Sequence, residues 1–215
     1  WNRTYAAFRL ESERFPGLTA KDGSYSKQEF INLQRMGLEY GVRIIPEIDI
    51  PAHSLAFAHY KPEIASRKYG MDHLDLYKKE TYQFIDSLLD EYLSGDNPVF
   101  IGDLHIGTDE YNKKEAEQYR YFTDRYLKFV EKYGKNVRMW GGLKWLPGKT
   151  PVKAEGVTVN AWSYDWVDPV VSLQDGYKLI NTCDTYLYIV PAAGYYRDFL
   201  DHQWIYEKWS PWIMN

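Results

Sequence analysis

The chain has 215 residues, with 26 Lys and Arg against 30 Asp and Glu for a formal charge of -4, and it is 45% apolar and 26% charged, the balance of a compact folded domain. No apolar run approaches the roughly 20 residues of a membrane-spanning helix, no basic start leads into an apolar core as in a signal peptide, and basic residues interleave with acids, which argues against a nucleic-acid surface. A lone Cys183 excludes an internal disulfide, while 20 Tyr, 8 Trp and 9 Phe bring aromatics to 17%, a supply of flat apolar faces with polar edges that suits sugar rings as well as a core.

Short apolar strand-like runs alternate with longer segments at helical spacing. A first helix is predicted over about 26–40, with Phe30, Leu33 and Leu38 on one side and Gly41 as its stop. Val42 to Ile50 follows as a β-branched strand made imperfect by Pro46. A second helix, about 80–93, groups Phe84, Leu88 and Tyr92, and Val99 to Ile106 reads as the next strand. The third helix, about 113–133, carries Tyr119, Phe122, Tyr126 and Val130 at three- and four-residue steps before Gly134. Three further strands are expected over 137–140, 157–162 and 185–190. Asp168-Pro169 reads as the cap and first turn of a short helix through about Leu173.

No repeat, low-complexity segment or linker divides the chain, so residues 1–215 read as one domain. The start at Trp1 and the aromatic end from Glu207 to Asn215 read as those of a piece of a longer chain. About five parallel strands fit an open doubly wound sheet or part of a (β/α)8 barrel. The open sheet would normally carry a glycine-rich phosphate turn, which is absent; the barrel puts its chemistry at the carboxyl ends of the strands.

Those ends carry Glu47, Asp49 and His53, then His105, Asp109 and Glu110, then Trp140, Asn160 and Trp162, and finally Tyr186 and Tyr188. Each has an ordinary reading. Glu47 and Asp49 could cap loops or pair with Arg43 or Arg138, His53 could be structural, and the tryptophans could be core. Asp109-Glu110 is the sharpest feature. Neighbours on an extended strand point to opposite faces, so only a chain bending away from the sheet lets both serve one pocket, and Gly107 supplies the freedom for that bend. Adjacent carboxylates also repel, which favours keeping one of them protonated as an acid. The five histidines are scattered without ligand spacing, so no metal or cofactor is expected.

His105-Ile-Gly-Thr-Asp-Glu-Tyr111 resembles the His-x-Gly-x-Asp-Glu signature of glycoside hydrolase family 20, and Ile45-Pro-Glu-Ile-Asp-Ile-Pro-Ala-His53 resembles that family's Pro-Glu-Ile-Asp-x-Pro-Gly/Ala-His strand. The motifs come in the family order, and the likeness runs from about Ala6 to Tyr196. Segments 51–57, 69–76 and 188–196 are most similar to the branch holding lacto-N-biosidases and related bacterial hexosaminidases. The resemblance implies a (β/α)8 TIM barrel, here represented by about its third to seventh strands. It also implies retaining cleavage of terminal β-linked N-acetylhexosamine, in which the substrate's 2-acetamido oxygen attacks the anomeric carbon.

Under the resemblance Glu110 is the general acid and then base, and Asp109 orients the acetamido N–H. Trp140 and Trp162 wall the acetamido pocket, Tyr186 or Tyr188 donates to the acetamido oxygen, and His53 touches the acid. An arginine for O3 and O4, an acidic residue behind His53 and a further tryptophan belong to family strands not seen here, and without them the barrel cannot close. The partner implied is an oligosaccharide or glycoconjugate, and the location extracellular or in the cell envelope. Two alternatives stand beside this reading: an inactive carbohydrate-binding barrel piece, and a two-carboxylate glycosidase using Glu47 and Glu110.

Overall fold

The structure, a computed structural model, describes residues 7–212; Trp1, the Asn2-Arg-Thr4 sequon, Ala6 and the last three residues of the aromatic C-terminal stretch lie outside them. Helix α1, Lys27–Glu39, opens with a capping box in which the Ser26 side chain accepts from the Glu29 N–H while Glu29 reaches back to Ser26. Strand β1 is only Glu47–Ile50. Upstream, the Val42 N–H is drawn to Gly37 O as part of the helix exit, and Pro46 adds one carbonyl to the ladder by accepting from His105 N–H. Helix α2, Leu55–Tyr60, and a small antiparallel hairpin, β2, Ala65–Ser66, with β3, Gly70–Leu74, fill the connection to α3, Lys79–Leu93. Strand β4, Leu104–Gly107, is followed by a 3-10 turn and α4, Ala116–Glu131. Then come β5, Val137–Trp140, β6, Val157–Ala161, and α5, Pro169–Gln174, capped by Asp168 as its sequence predicts.

The five-stranded sheet runs β1-β4-β5-β6-β7 and every pairing in it is parallel. Strands in chain order, with helices between them, are the topology of a barrel segment rather than a doubly wound sheet, whose order reverses midway. The two faces explain the residue pattern. Leu104 and Ile106 on β4 are fully buried, as are Ile85, Leu88 and Leu89 on α3 and Tyr119, Phe122, Tyr126 and Val130 on α4. At roughly 1.5–3 kcal/mol per large apolar side chain buried, this layer fixes the helices to the sheet.

One strand lies elsewhere than the sequence pattern places it. The last strand, β7, is Lys178–Asn181, paired with β6 from Thr158↔Lys178 to Ala161↔Asn181. Residues 185–190 do not form a strand. Asp184 Oδ1 accepts from the Thr185 N–H at 2.7 Å and Cys183 O from the Leu187 N–H at 3.0 Å, winding Asp184–Leu187 into the one-turn helix α6. The alternating Tyr-Leu-Tyr-Ile pattern mimics a strand, but the backbone is turned by the Tyr186 and Leu187 N–H groups donating to Cys183 O. Helix α7, His202–Lys208, capped by Asp201, closes the described chain.

Candidate active site

Four backbones at the exits of β1 and β4 depart from ordinary conformations: φ is 54° at His53, 69° at Gly107, 81° at Thr108 and 52° at Glu110. A β-branched residue at positive φ costs of order 1–3 kcal/mol and persists only where neighbours hold it. Here the Thr108 hydroxyl donates to Trp140 O at 3.2 Å, and the buried Tyr119 hydroxyl donates to Thr108 O. His73 Nε2 lies 3.3 Å from Glu110 O, and the Tyr111 hydroxyl donates to Leu74 O at 2.7 Å. The turn is thus tied to β5, to α4 and to the β3 hairpin.

The result is that the alternation of an extended chain is broken and two successive carboxylates face one imidazole. His53 Nε2 is 3.2 Å from Asp109 Oδ2 and 3.1 Å from Glu110 Oε2. Burial alone would push the imidazole down, but its bonds to Asp109 and Glu110 and the charges of Asp109 and Asp49 override it and raise the pKa from 6.5 to about 10. Because this pKa lies above that of the unfolded chain, the stability it contributes is fully present below pH 6.5 and is lost as pH rises through about 10. We expect nitrogen NMR to report an imidazolium at His53 at pH 7.5, and the Tm gap between the protein and its His53→Gln variant to narrow on going alkaline. A neutral ring at pH 7.5 would contradict the arrangement.

Around this centre, Glu47 is neither a loop cap nor a partner of Arg138, which pairs with Asp103 at 3.1 Å. Glu47 Oε1 accepts from Trp140 Nε1 at 2.8 Å, and its other oxygen is 3.6 Å from His105 Nδ1. Burial pushes the His105 imidazole below its ordinary pKa, and its Nδ1 accepts from the Gly107 N–H at 3.1 Å. Burial and then the charges of Asp109 and Glu47 drive the Asp49 carboxyl well above the usual carboxylate range, and its buried Oδ1 has no hydrogen-bond partner among the described residues.

Trp140 is half-buried at the end of β5, its ring 4.8 Å from that of His105. Trp162, just past β6, is buried and donates to Gly141 O at 2.9 Å. The two candidate tyrosines part company. The Tyr186 ring stacks on Trp204 at 4.8 Å. Tyr188 lies against Tyr196 at 5.4 Å, and burial, with smaller contributions from Tyr196, Asp109, Asp184 and Glu47, pushes its hydroxyl up. The bend that the sequence places at Gly107 is present, but the sequence pattern gave no sign that Thr108 shares it or that His73 meets Glu110.

His53, Asp109 and Glu110 also form, among the described residues, a group compact enough to consider for a metal ion, their ligand atoms lying within 4.8 Å of one another, a grouping that chain spacing does not reveal. A metal needs the neutral imidazole, and the two carboxylates beside His53 Nε2 favour a proton there, which an ion would have to displace.

A parallel sheet in barrel order whose strand exits gather two carboxylates, an imidazole and indole rings has the build of a carbohydrate-active barrel domain. The chain belongs to glycosyl hydrolase family 20, whose catalytic-domain model matches residues 4–120. It is 29% identical over 209 residues to a beta-hexosaminidase of Arthroderma benhamiae, covering 80% of this chain and 34% of the relative. It is 25% identical over 200 residues to the lacto-N-biosidase of Bifidobacterium bifidum, covering 80% of this chain and 17% of that protein. The solved beta-N-acetylhexosaminidase of Streptomyces coelicolor shares the fold, with a TM-score of 0.70 at 24% identity over 85% of this chain and 41% of its own. The chain therefore spans about a third or about a sixth of these curated relatives.

Proposed function

We propose that residues 1–215 act as one domain at the catalytic centre of a retaining glycosidase. It would remove terminal β-linked N-acetylhexosamine from glycans, with the sugar's own acetamido oxygen as nucleophile and an oxazolinium intermediate. One observation carries the reading: Asp109 and Glu110, adjacent in the chain, both reach His53 Nε2, at 3.2 and 3.1 Å. Two neighbouring carboxylates cannot flank a sugar from opposite faces, as a double displacement requires. They can reach two sites on the same side, the glycosidic oxygen and the C2 substituent.

In this reading Glu110 hands a proton to the departing oxygen and later accepts one from water. Asp109 orients the acetamido N–H and balances the positive charge that develops as its oxygen attacks C1. Trp140 and Trp162 enclose the acetamido methyl, aiming the oxygen inward, and Tyr188 donates to that oxygen. His53 fixes both carboxylates. Glu47, the other conceivable partner for Glu110, is engaged by Trp140 Nε1 at 2.8 Å, which speaks against its service as a nucleophile. A glycan-degrading role outside the cell or in its envelope follows family habit; no helix among the described residues is long and apolar enough to cross a membrane.

A thiazoline analogue of the oxazolinium is expected to inhibit competitively, and a fluorosugar is expected to leave no covalent adduct detectable by mass spectrometry. An adduct on Glu47 would replace this mechanism with the two-carboxylate one. The likeness to a lacto-N-biosidase keeps a disaccharide-releasing variant in view. Preference for an aryl lacto-N-bioside over an aryl N-acetylglucosaminide would assign it, and sugar binding without turnover of either would mark an inactive barrel.

A further inference from the structure

A groove of about 370 Å³ opens beside Glu110, and none of Asp109, Trp140, Trp162 or Tyr188 lines it. Its lining includes Tyr69, His73, Trp145, Lys113 and Lys114. This inference rests on Glu110 as the general acid. The acid must sit between the sugar it frees and the group that leaves, because the oxygen it protonates joins the two. A recess lined by Glu110 and by none of the groups assigned to the acetamido is therefore placed for the leaving group.

Its chemistry is that of a sugar site with a charge preference. Trp145 is 38% exposed and is braced from behind by Trp166 at 5.0 Å, which in turn lies 5.5 Å from Trp162. The Lys113 ammonium lies over the Trp145 ring, 4.8 Å from its centre, and Lys113 and Lys114 are both exposed. The acids nearby are already engaged. Glu115 accepts from Lys68 at 2.7 Å and from Tyr69 and Tyr77 at 2.6 Å, and Asp72 is 3.0 Å from His73 Nδ1. Two lysine charges remain to face whatever occupies the groove.

We propose that this groove is a leaving-group subsite that favours an acidic sugar, one bearing a carboxylate or a sulfate, packed against the exposed part of Trp145 with its anion toward Lys113 and Lys114. The test uses the Glu110→Gln protein, which is to bind without turning over, and three disaccharides with the same β-N-acetylglucosamine joined to glucose, glucuronic acid or glucose 6-sulfate. At low salt the acidic ligands should bind roughly three- to tenfold more tightly than the glucose one, a range set by exposed ion pairs, and the advantage should fade at high salt. Lys113→Gln combined with Lys114→Gln should remove the advantage, and Trp145→Ala should weaken all three ligands. A preference for only one of the two acids supports the subsite and says which anion it reads. Equal affinities, or a preference that survives loss of both lysines, would overturn it. Turnover of an aryl N-acetylglucosaminide by the unsubstituted protein reads the parent function separately. Its absence would count against that function, while the binding constants still decide the groove.

Discussion

Glu110→Gln is expected to cut hydrolysis of N,N′-diacetylchitobiose by roughly 10²–10⁴-fold, the usual contribution of a positioned general acid. The amide fills the same space and can still bond to His53, so the thiazoline analogue should bind nearly as before. The size of the loss should depend on what departs. A sugar alkoxide is a poor leaving group and needs its proton as the bond breaks. A 4-nitrophenolate leaves readily without one, so the variant should retain far more of its activity on the aryl glycoside in the first step. Asp109→Asn should slow both substrates alike, because its partner is the acetamido group they have in common. A Glu110→Gln variant that turns over chitobiose at the original rate would remove Glu110 from the chemistry. An equal loss on both substrates would reassign it from acid to a role at the acetamido group.

How much of this was legible in the residues follows from how local each cause is. Helices α3 and α4 announce themselves through apolar steps of three and four and α1 through its capping box, although Leu38 on the predicted apolar side of α1 is exposed and its buried positions are Gln34 and Gly37. The exits of β1 and β4 were legible through motifs, Pro46-Glu-Ile-Asp49 and His105 to Glu110, that place charged groups where a parallel sheet would otherwise be apolar. What escaped depends on distant partners. Gly107 signals a bend, but not that Thr108 follows it at φ of 81°, since that conformation is held by Tyr119 on α4 and by a carbonyl on β5. His73 reaches the Glu110 carbonyl from a hairpin whose first strand is two residues long, too short for any period to register. The choice between Tyr186 and Tyr188 could not be made on strand alternation, because residues 184–187 form a helical turn that leaves one ring on Trp204 and the other on Tyr196.

Gly107→Ala is expected to be the most damaging single-methyl change, for two independent reasons. Its φ of 69° is left-handed, which costs an alanine roughly 1–2 kcal/mol. Its Cβ would also overlap Asp49 Oδ1 and lie 2.8 Å from Asp49 Cα, so β1 and β4 would have to separate at the level of the site, an overpacking cost of about 1–3 kcal/mol. Together these predict a Tm lower by roughly 5–15 °C for a chain of this size. Activity should fall further than stability, since a shift of about 1 Å in Asp109 and Glu110 relative to His53 can cost on the order of 100-fold in rate. Gly134→Ala separates the two causes. Its φ is 70°, nearly the same, but its added Cβ would meet nothing within 4 Å, so only the backbone cost remains and activity should be untouched. If the two alanine variants melt together and hydrolyse alike, the close approach of Asp49 to the β4 exit is not what holds the carboxylates in place.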